Sequence, residues 1–114
     1  MKTYFEERPW GSFERFVNNQ ECTVKFLNIK KGGVLSLQSH KQRKEFWRVV
    51  SGNPRVIIGK TDVIAKPGES FFVKTGQIHR LAAPKNNVTI LEIAFGHFKE
   101  GDIKRYEDKY NRNK

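Results

Sequence analysis

The sequence predicts an all-β, single-domain barrel, and three observations carry that reading. Helical periodicity is almost absent. Eight short runs rich in Val, Ile, Phe and Thr recur instead. Gly, Pro and Asn separate them at the close spacing expected of an all-β sandwich or barrel. At 114 residues the chain has the usual size of one domain, spanning 1–114, with no linker, repeat or low-complexity stretch.

The runs are Ser12–Val17, Cys22–Ile29, Val34–Gln38, Phe46–Ser51, Arg55–Ile58, Ser70–Val73, Ile78–Ala82 and Val88–Phe95. Lys31-Gly32-Gly33, Ser51-Gly52-Asn53-Pro54, Lys66-Pro67-Gly68-Glu69 and Lys74-Thr75-Gly76-Gln77 read as the turns between them. Leu35, Leu37, Val49 and Val50 are expected in the core, and Trp10 and Trp47 in core or rim packing. The end, Lys99–Lys114, is a short charged segment. Its Ile103, Tyr106 and Tyr110 stand at i, i+3 and i+7, which predicts a short helical face packed on the barrel, or else a loosely held tail. Asp102 and Asp108 are expected to tie this segment down by ion pairs rather than to do chemistry.

Hydrophobic residues make up 37% of the chain and aromatics 12%, enough for a packed core. The formal net charge is +10, so the surface attracts anions such as a phosphorylated metabolite or nucleic acid. No basic–aromatic stacking motif accompanies the charge, which leaves nucleic acid the weaker expectation. The single Cys22 excludes an internal disulfide and sits in an apolar run as a core residue. Met1–Trp10 holds no apolar h-region and no run approaches the ~20 apolar residues of a spanning helix, so a cytoplasmic protein without a membrane partner is expected. Open strand edges in so small a barrel predict a homodimer.

Side chains alternate along a strand, so Gln38 and His40 share a face. Glu45 follows five residues after His40 and opens the next strand, and His79 starts a later one. Two imidazoles, one carboxylate and one amide oxygen suit a divalent first-row metal: zinc is the leading expectation, with manganese, cobalt and iron as alternatives. Written as a pattern, the chain runs Gly32, five residues, Gln38-x-His40, four residues, Glu45, six residues, Gly52; then Gly68, seven residues, Gly76, two residues, His79. This spacing resembles the two cupin motifs throughout, and it implies a cupin barrel, the double-stranded β-helix or jelly roll. The chain departs from those motifs at Gln38, where many cupins have His, at Lys74, where Pro is usual, and at Ala83, where Asn is usual.

Arg8-Pro9-Trp10-Gly11-Ser12-Phe13-Glu14, Leu35-Ser36-Leu37-Gln38-Ser39-His40, Arg43-Lys44-Glu45-Phe46-Trp47 and His79-Arg80-Leu81 look like successive motifs of one family. It is the type II mannose-6-phosphate isomerase family, often the C-terminal part of bifunctional enzymes that also carry a mannose-1-phosphate guanylyltransferase. The resemblance covers nearly the whole chain, including the ending Glu100–Arg112; the nucleotidyltransferase half is missing. It implies metal-dependent interconversion of mannose 6-phosphate and fructose 6-phosphate, accepts Gln38 as a normal ligand, and makes Arg43 a candidate essential residue. The family usually has His where this chain has Phe46, and tends to have an acid where it has Gly101.

For a phosphorylated hexose, Arg43, Lys74 and Arg80 are the candidate anion-holding residues, since guanidinium forks match phosphate oxygens. Arg80 follows His79 and so points to the other face of a regular strand, which favours Arg43. His97 is a weaker candidate base. Two alternatives remain at this stage: a non-catalytic sugar- or sugar-phosphate-binding cupin, and a nucleotide-sugar isomerase or epimerase.

Overall fold

The computed structural model describes residues 2–96 and 101–110. The regular elements among them are all strands: β1 (Tyr4–Arg8), β2 (Gly11–Arg15), β3 (Cys22–Ile29), β4 (Leu37–Ser39), β5 (Arg43–Ser51), β6 (Arg55–Ile58), β7 (Thr61–Ile64), β8 (Ser70–Val73), β9 (His79–Ala82), β10 (Val88–Gly96) and β11 (Lys104–Glu107). They form a four-stranded sheet in the order β3-β10-β5-β8, a five-stranded sheet in the order β11-β4-β9-β6-β7, and a separate β1-β2 hairpin. All pairings are antiparallel. No helix of the described residues is long and apolar enough to cross a membrane.

The two larger sheets face each other over one core. Val49, Val88 and Ile90 come from the first, and Val56, Ile58 and Leu81 from the second. Register shows how the sequence divides the interior of the four-stranded sheet. Directly opposed residues share a face, so its inner surface is a series of rungs. Leu27, Ile90 and Val49 form an apolar rung. The next holds Lys25, Glu92, Trp47 and Phe71; the one after holds Thr23, Ala94, Glu45 and Val73. One end of the barrel is thus packed with aliphatic side chains while the other turns polar.

The opposite face of the same sheet carries a second buried cluster of Phe46, Ile93 and Phe95, against which Phe16, Val17, Cys22 and Phe72 pack. Alternation along β5 therefore sends Phe46 away from Glu45. Arg48 fastens the hairpin to this face. Its guanidinium makes two 2.9 Å bonds to Glu14 and lies over the rings of Phe16 and Phe46.

Several expectations are corrected. The segment with Ile103, Tyr106 and Tyr110 is not helical: β11 pairs with β4, and the Tyr106 hydroxyl meets Ser39 Oγ at 3.1 Å. Strand pairing satisfies its backbone, which a single isolated helical turn does poorly. The hairpin strand β1 and the edge strand β7 were not expected, because neither carries an apolar inner face; every residue of β7 is exposed. Val50 is 49% exposed, since inward Val49 fixes the parity of its neighbour. Trp10 is 72% exposed at the hairpin turn, whereas Trp47 is in the core.

The Glu14–Arg48 pair gives a checkable pH dependence. The guanidinium bonds and the Thr3 hydroxyl hold the Glu14 carboxyl down at about 2. Its folded pKa thus lies below its unfolded one, so its contribution is complete above about pH 5 and is lost as pH falls towards 2. Glu14→Gln is expected to lower stability by about 1 kcal/mol at neutral pH, the pair being partly solvated, and by almost nothing at pH 2. Urea unfolding at both pH values measures this; equal losses at the two would contradict it.

Candidate metal centre

The polar end of the barrel gathers side chains from three strands and one loop. Glu45 enters from β5, its opposite residue on β10 being Ala94, which fills little of the rung. His79 opens β9 and stands directly across from Gln38 on β4. His40 follows β4 on the same face as Gln38. His40, Glu45 and His79 are 2%, 2% and 1% exposed, and each presents a ligand atom such that all lie within 4.8 Å of one another.

Local hydrogen bonding aims these groups. His79 Nδ1 donates to the Gln77 carbonyl at 2.8 Å, and His40 Nδ1 to the Asp102 carbonyl at 2.7 Å. A carbonyl only accepts, so both rings carry their proton on Nδ1 and keep the Nε2 lone pair for the interior. His40 Nε2 lies 3.5 Å from Glu45 Oε2, and His79 Nε2 lies 3.6 Å from Glu45 Oε1. Burial pushes the His79 pKa down, which keeps the ring neutral. Glu45 Oε1 and His79 Nε2 are both buried without a hydrogen-bond partner. Two facing acceptors repel, and burying them together is costly unless something electropositive lies between. This donor set fits a divalent first-row cation. Backbone carbonyls behind ligand imidazoles are also what tuned metal centres use to fix ring orientation.

The other candidates fall into place around this cluster. Gln38 shares the inner face, and its Oε1 accepts from Ser36 Oγ at 2.9 Å, which leaves that oxygen a second lone pair. Arg43, 8% exposed, enters the cluster itself, donating to Glu45 Oε2 and to His40 Nε2, each at 3.2 Å. Lys74 is exposed in the turn before β9, where the Gly76 N–H bonds the His40 carbonyl at 2.7 Å. Arg80, expected at the substrate, is turned to the far face of the sheet, bonded to the Leu35 carbonyl and to Glu107. His97 lies outside the described residues. Asp102 ties the C-terminal segment down as expected, but through backbone N–H groups rather than ion pairs: its carboxylate accepts from Lys41 and Gln42 at 3.0 and 2.8 Å.

Three residues escaped the sequence reading. Glu92 and Lys25 lie on the interior rung beside Glu45, and Arg105 on β11 stands opposite Gln38 with its Nε buried. The signal for Glu92 was present, since Val88, Ile90, Glu92 and Ala94 share the parity of a core face. Two surface hollows of about 330 and 310 Å³ lie elsewhere, around Asn28–Lys30; no acid or histidine lines them. The buried donor cluster is the better guide to chemistry.

A family model described as mannose-6-phosphate isomerase C-terminal matches residues 2–108. The chain belongs to that family. It is 37% identical over 107 residues to the xanthan biosynthesis protein XanB of Xanthomonas campestris, covering 92% of this chain and 23% of that protein. To the alginate biosynthesis protein AlgA of Pseudomonas aeruginosa it is 37% identical over 107 residues, covering 92% and 22%. To the mannose-1-phosphate guanylyltransferase ManC of Salmonella typhimurium it is 35% identical over 107 residues, again covering 92% and 22%. The chain therefore spans less than a quarter of the length of these curated relatives.

Solved structures place the fold among the cupins. A double-stranded β-helix protein of Klebsiella pneumoniae superposes with TM-score 0.67 at 16% identity, over 81% of this chain and 80% of that one. A cupin-superfamily sugar phosphate isomerase from Silicibacter pomeroyi does so with TM-score 0.62 at 18% identity, over 68% and 52%.

The ring orientations are directly measurable. Long-range proton–nitrogen correlation of the metal-free protein near pH 7 is expected to show both His40 and His79 protonated on Nδ1 and bare on Nε2. The opposite tautomer at either ring would contradict the arrangement.

Proposed function

We propose that this domain is a metal-dependent aldose–ketose isomerase that interconverts mannose 6-phosphate and fructose 6-phosphate. The observation that supports it is a pair of buried imidazoles aimed at one buried carboxylate, in a chain of the mannose-6-phosphate isomerase family. Gln38, His40, Glu45 and His79 would hold the ion, zinc first among zinc, manganese, cobalt and iron. When bound, the ion supplies Lewis acidity to the sugar carbonyl.

The chain's own groups do the rest. Arg43 offers a rigid fork of donors beside the ligands, suited to a substrate oxygen or the phosphate. Lys74, on the turn that touches His40, suits the phosphate at the rim. The net charge of +10 draws an anionic substrate in. Exposed Val24 and Phe26 on the edge strand β3 are consistent with the expected homodimer.

The alternative of a non-catalytic sugar- or sugar-phosphate-binding cupin has two grounds: Phe46, and a resemblance that covers only the isomerase side of the bifunctional enzymes; the structure bears on the first. That residue packs in the outer cluster with Ile93 and Phe95 and has no part in the interior, which favours the enzyme. Among solved structures, a 4-keto-6-deoxy sugar epimerase of Streptomyces spheroides superposes with TM-score 0.69 over 90% of this chain and 65% of that one, but at 9% identity it bears on fold alone.

Protein loaded separately with zinc, manganese, cobalt or iron and given mannose 6-phosphate is expected to yield fructose 6-phosphate with at least one metal. Glu45→Gln should lose bound metal and turnover together. Arg43→Lys should keep the metal and lose about a hundredfold or more in kcat/KM, because Lys cannot reproduce the fork. Bound metal and sugar-phosphate affinity without turnover under any metal would replace the enzyme with the binding protein.

A further inference from the structure

Glu92 is a second carboxylate inside the barrel, 5% exposed and separate from the ligand set. It stands on the interior rung next to that of Glu45, directly opposite Trp47 on β5 and Lys25 on β3. The Lys25 ammonium is 3.9 Å from its Oε1. Trp47 in turn packs edge-on against the His79 ring, with centroids 5.5 Å apart. One indole thus lies between this acid and a ligand imidazole. The Trp47 N–H finds no hydrogen bond of ordinary geometry, yet it favours the charged form of Glu92, as a long N–H···O contact does. Ala94, next on the inner face after Glu92, stands directly opposite Glu45.

We propose that Glu92 is the proton-carrying residue of the isomerisation, held for that task by Lys25 and Trp47; the proposal rests on the isomerase reading given above. The sugar reaction needs a base that neither binds the metal nor is tied up elsewhere. Glu45 has both oxygens turned to His40, Arg43 and His79, which leaves Glu92 as the acid available on the inner face among the described residues.

In the forward direction the Glu92 carboxylate takes the proton from C2. The C–H electron pair becomes the C1=C2 double bond, and the carbonyl π pair moves to O1, which takes up a proton from water. The same carboxyl then returns its proton to C1 as the O2 hydroxyl gives its proton to water, its O–H pair forming the C2 carbonyl. Protons and electrons balance, and no oxidant or reductant enters.

The environment agrees with such a task. Burial first, and the Glu45 carboxylate second, push the Glu92 carboxyl up to about 7, against the opposing pull of Lys25, Arg43 and Trp47. The Lys25 ammonium alone would hold the carboxylate below the ordinary range; burial and Glu45 outweigh it. A carboxyl poised near neutrality both accepts and returns a proton with little penalty.

The test is loss of deuterium from C2 of mannose 6-phosphate labelled there, to C1 or to solvent, followed by NMR together with turnover, on metal-loaded wild type and Glu92→Gln. Glu92→Gln is expected to slow both at least about a hundredfold, with metal stoichiometry unchanged and KM within a few-fold. Deuterium loss and turnover within about threefold of wild type would overturn Glu92's role and leave the isomerase standing. Absence of both deuterium loss and turnover in the wild type itself, with every metal tried, would remove the isomerase reading, and this role with it. Should Glu92→Gln fail to fold, Glu92→Asp keeps the charge and draws the carboxylate back by one methylene. It is expected to lose tenfold or more in kcat at an unchanged melting temperature, and full activity there would equally overturn the proposal.

Discussion

Two backbone carbonyls, those of Gln77 and Asp102, decide what the interior of this barrel can do. Each accepts the Nδ1 proton of an imidazole and so turns the other nitrogen's lone pair towards Glu45. Without those bonds the rings could rotate or adopt the other tautomer, and the cluster would be ordinary buried polarity. With them, the buried carboxylate and two buried nitrogens become a preorganised donor set. The two carbonyls come from distant parts of the chain. One lies two residues before His79, and the other arrives on the segment leading into β11, held by Asp102's own grip on the Lys41 and Gln42 amides. The C-terminal segment is therefore part of the site and not merely a cover for it.

The fold accommodates this by dividing its interior. Glu45, Glu92, Arg43 and the two imidazoles are all largely buried, and uncompensated burial of such groups is costly. At the other end Ile90, Val49, Val88, Val56 and Leu81 are almost fully enclosed and contribute the transfer free energy that holds the sheets together. The outer Phe46 cluster and the Arg48–Glu14 clasp add a second, independent contact that secures the hairpin. Among the described residues, the buried side-chain polar atoms without a hydrogen-bond partner belong to Glu45, Trp47, His79 and Arg105, in or beside the end where chemistry is proposed.

The sequence disclosed most of this because its strongest signals are physical. Cys22–Ile29, Arg55–Ile58 and Ser70–Val73 stand as strands with the bounds read from their composition. Turn glycines were equally plain. Gly52 has φ 82°, and a Cβ there would meet the Asn87 carbonyl at 2.2 Å, so only glycine fits. Parity gave the shared face of Gln38 and His40, and set Phe46 and Arg80 outside. What stayed hidden depends on tertiary pairing. Strands β1, β7 and β11 are polar edges whose partners, not their residues, make them strands. A lone acid in Val88–Phe95 is easily read as an accident of an apolar run until its rung is known. The Asp102 carbonyl leaves no trace in sequence, since any residue carries one.

Anomalous diffraction from crystals of the zinc-loaded protein, collected on both sides of the zinc edge, is predicted to show a single ion coordinated by His40 Nε2, His79 Nε2 and a Glu45 oxygen, with Gln38 adjacent. An ion bound through either Nδ1, or no anomalous peak inside the barrel at full loading, would contradict it.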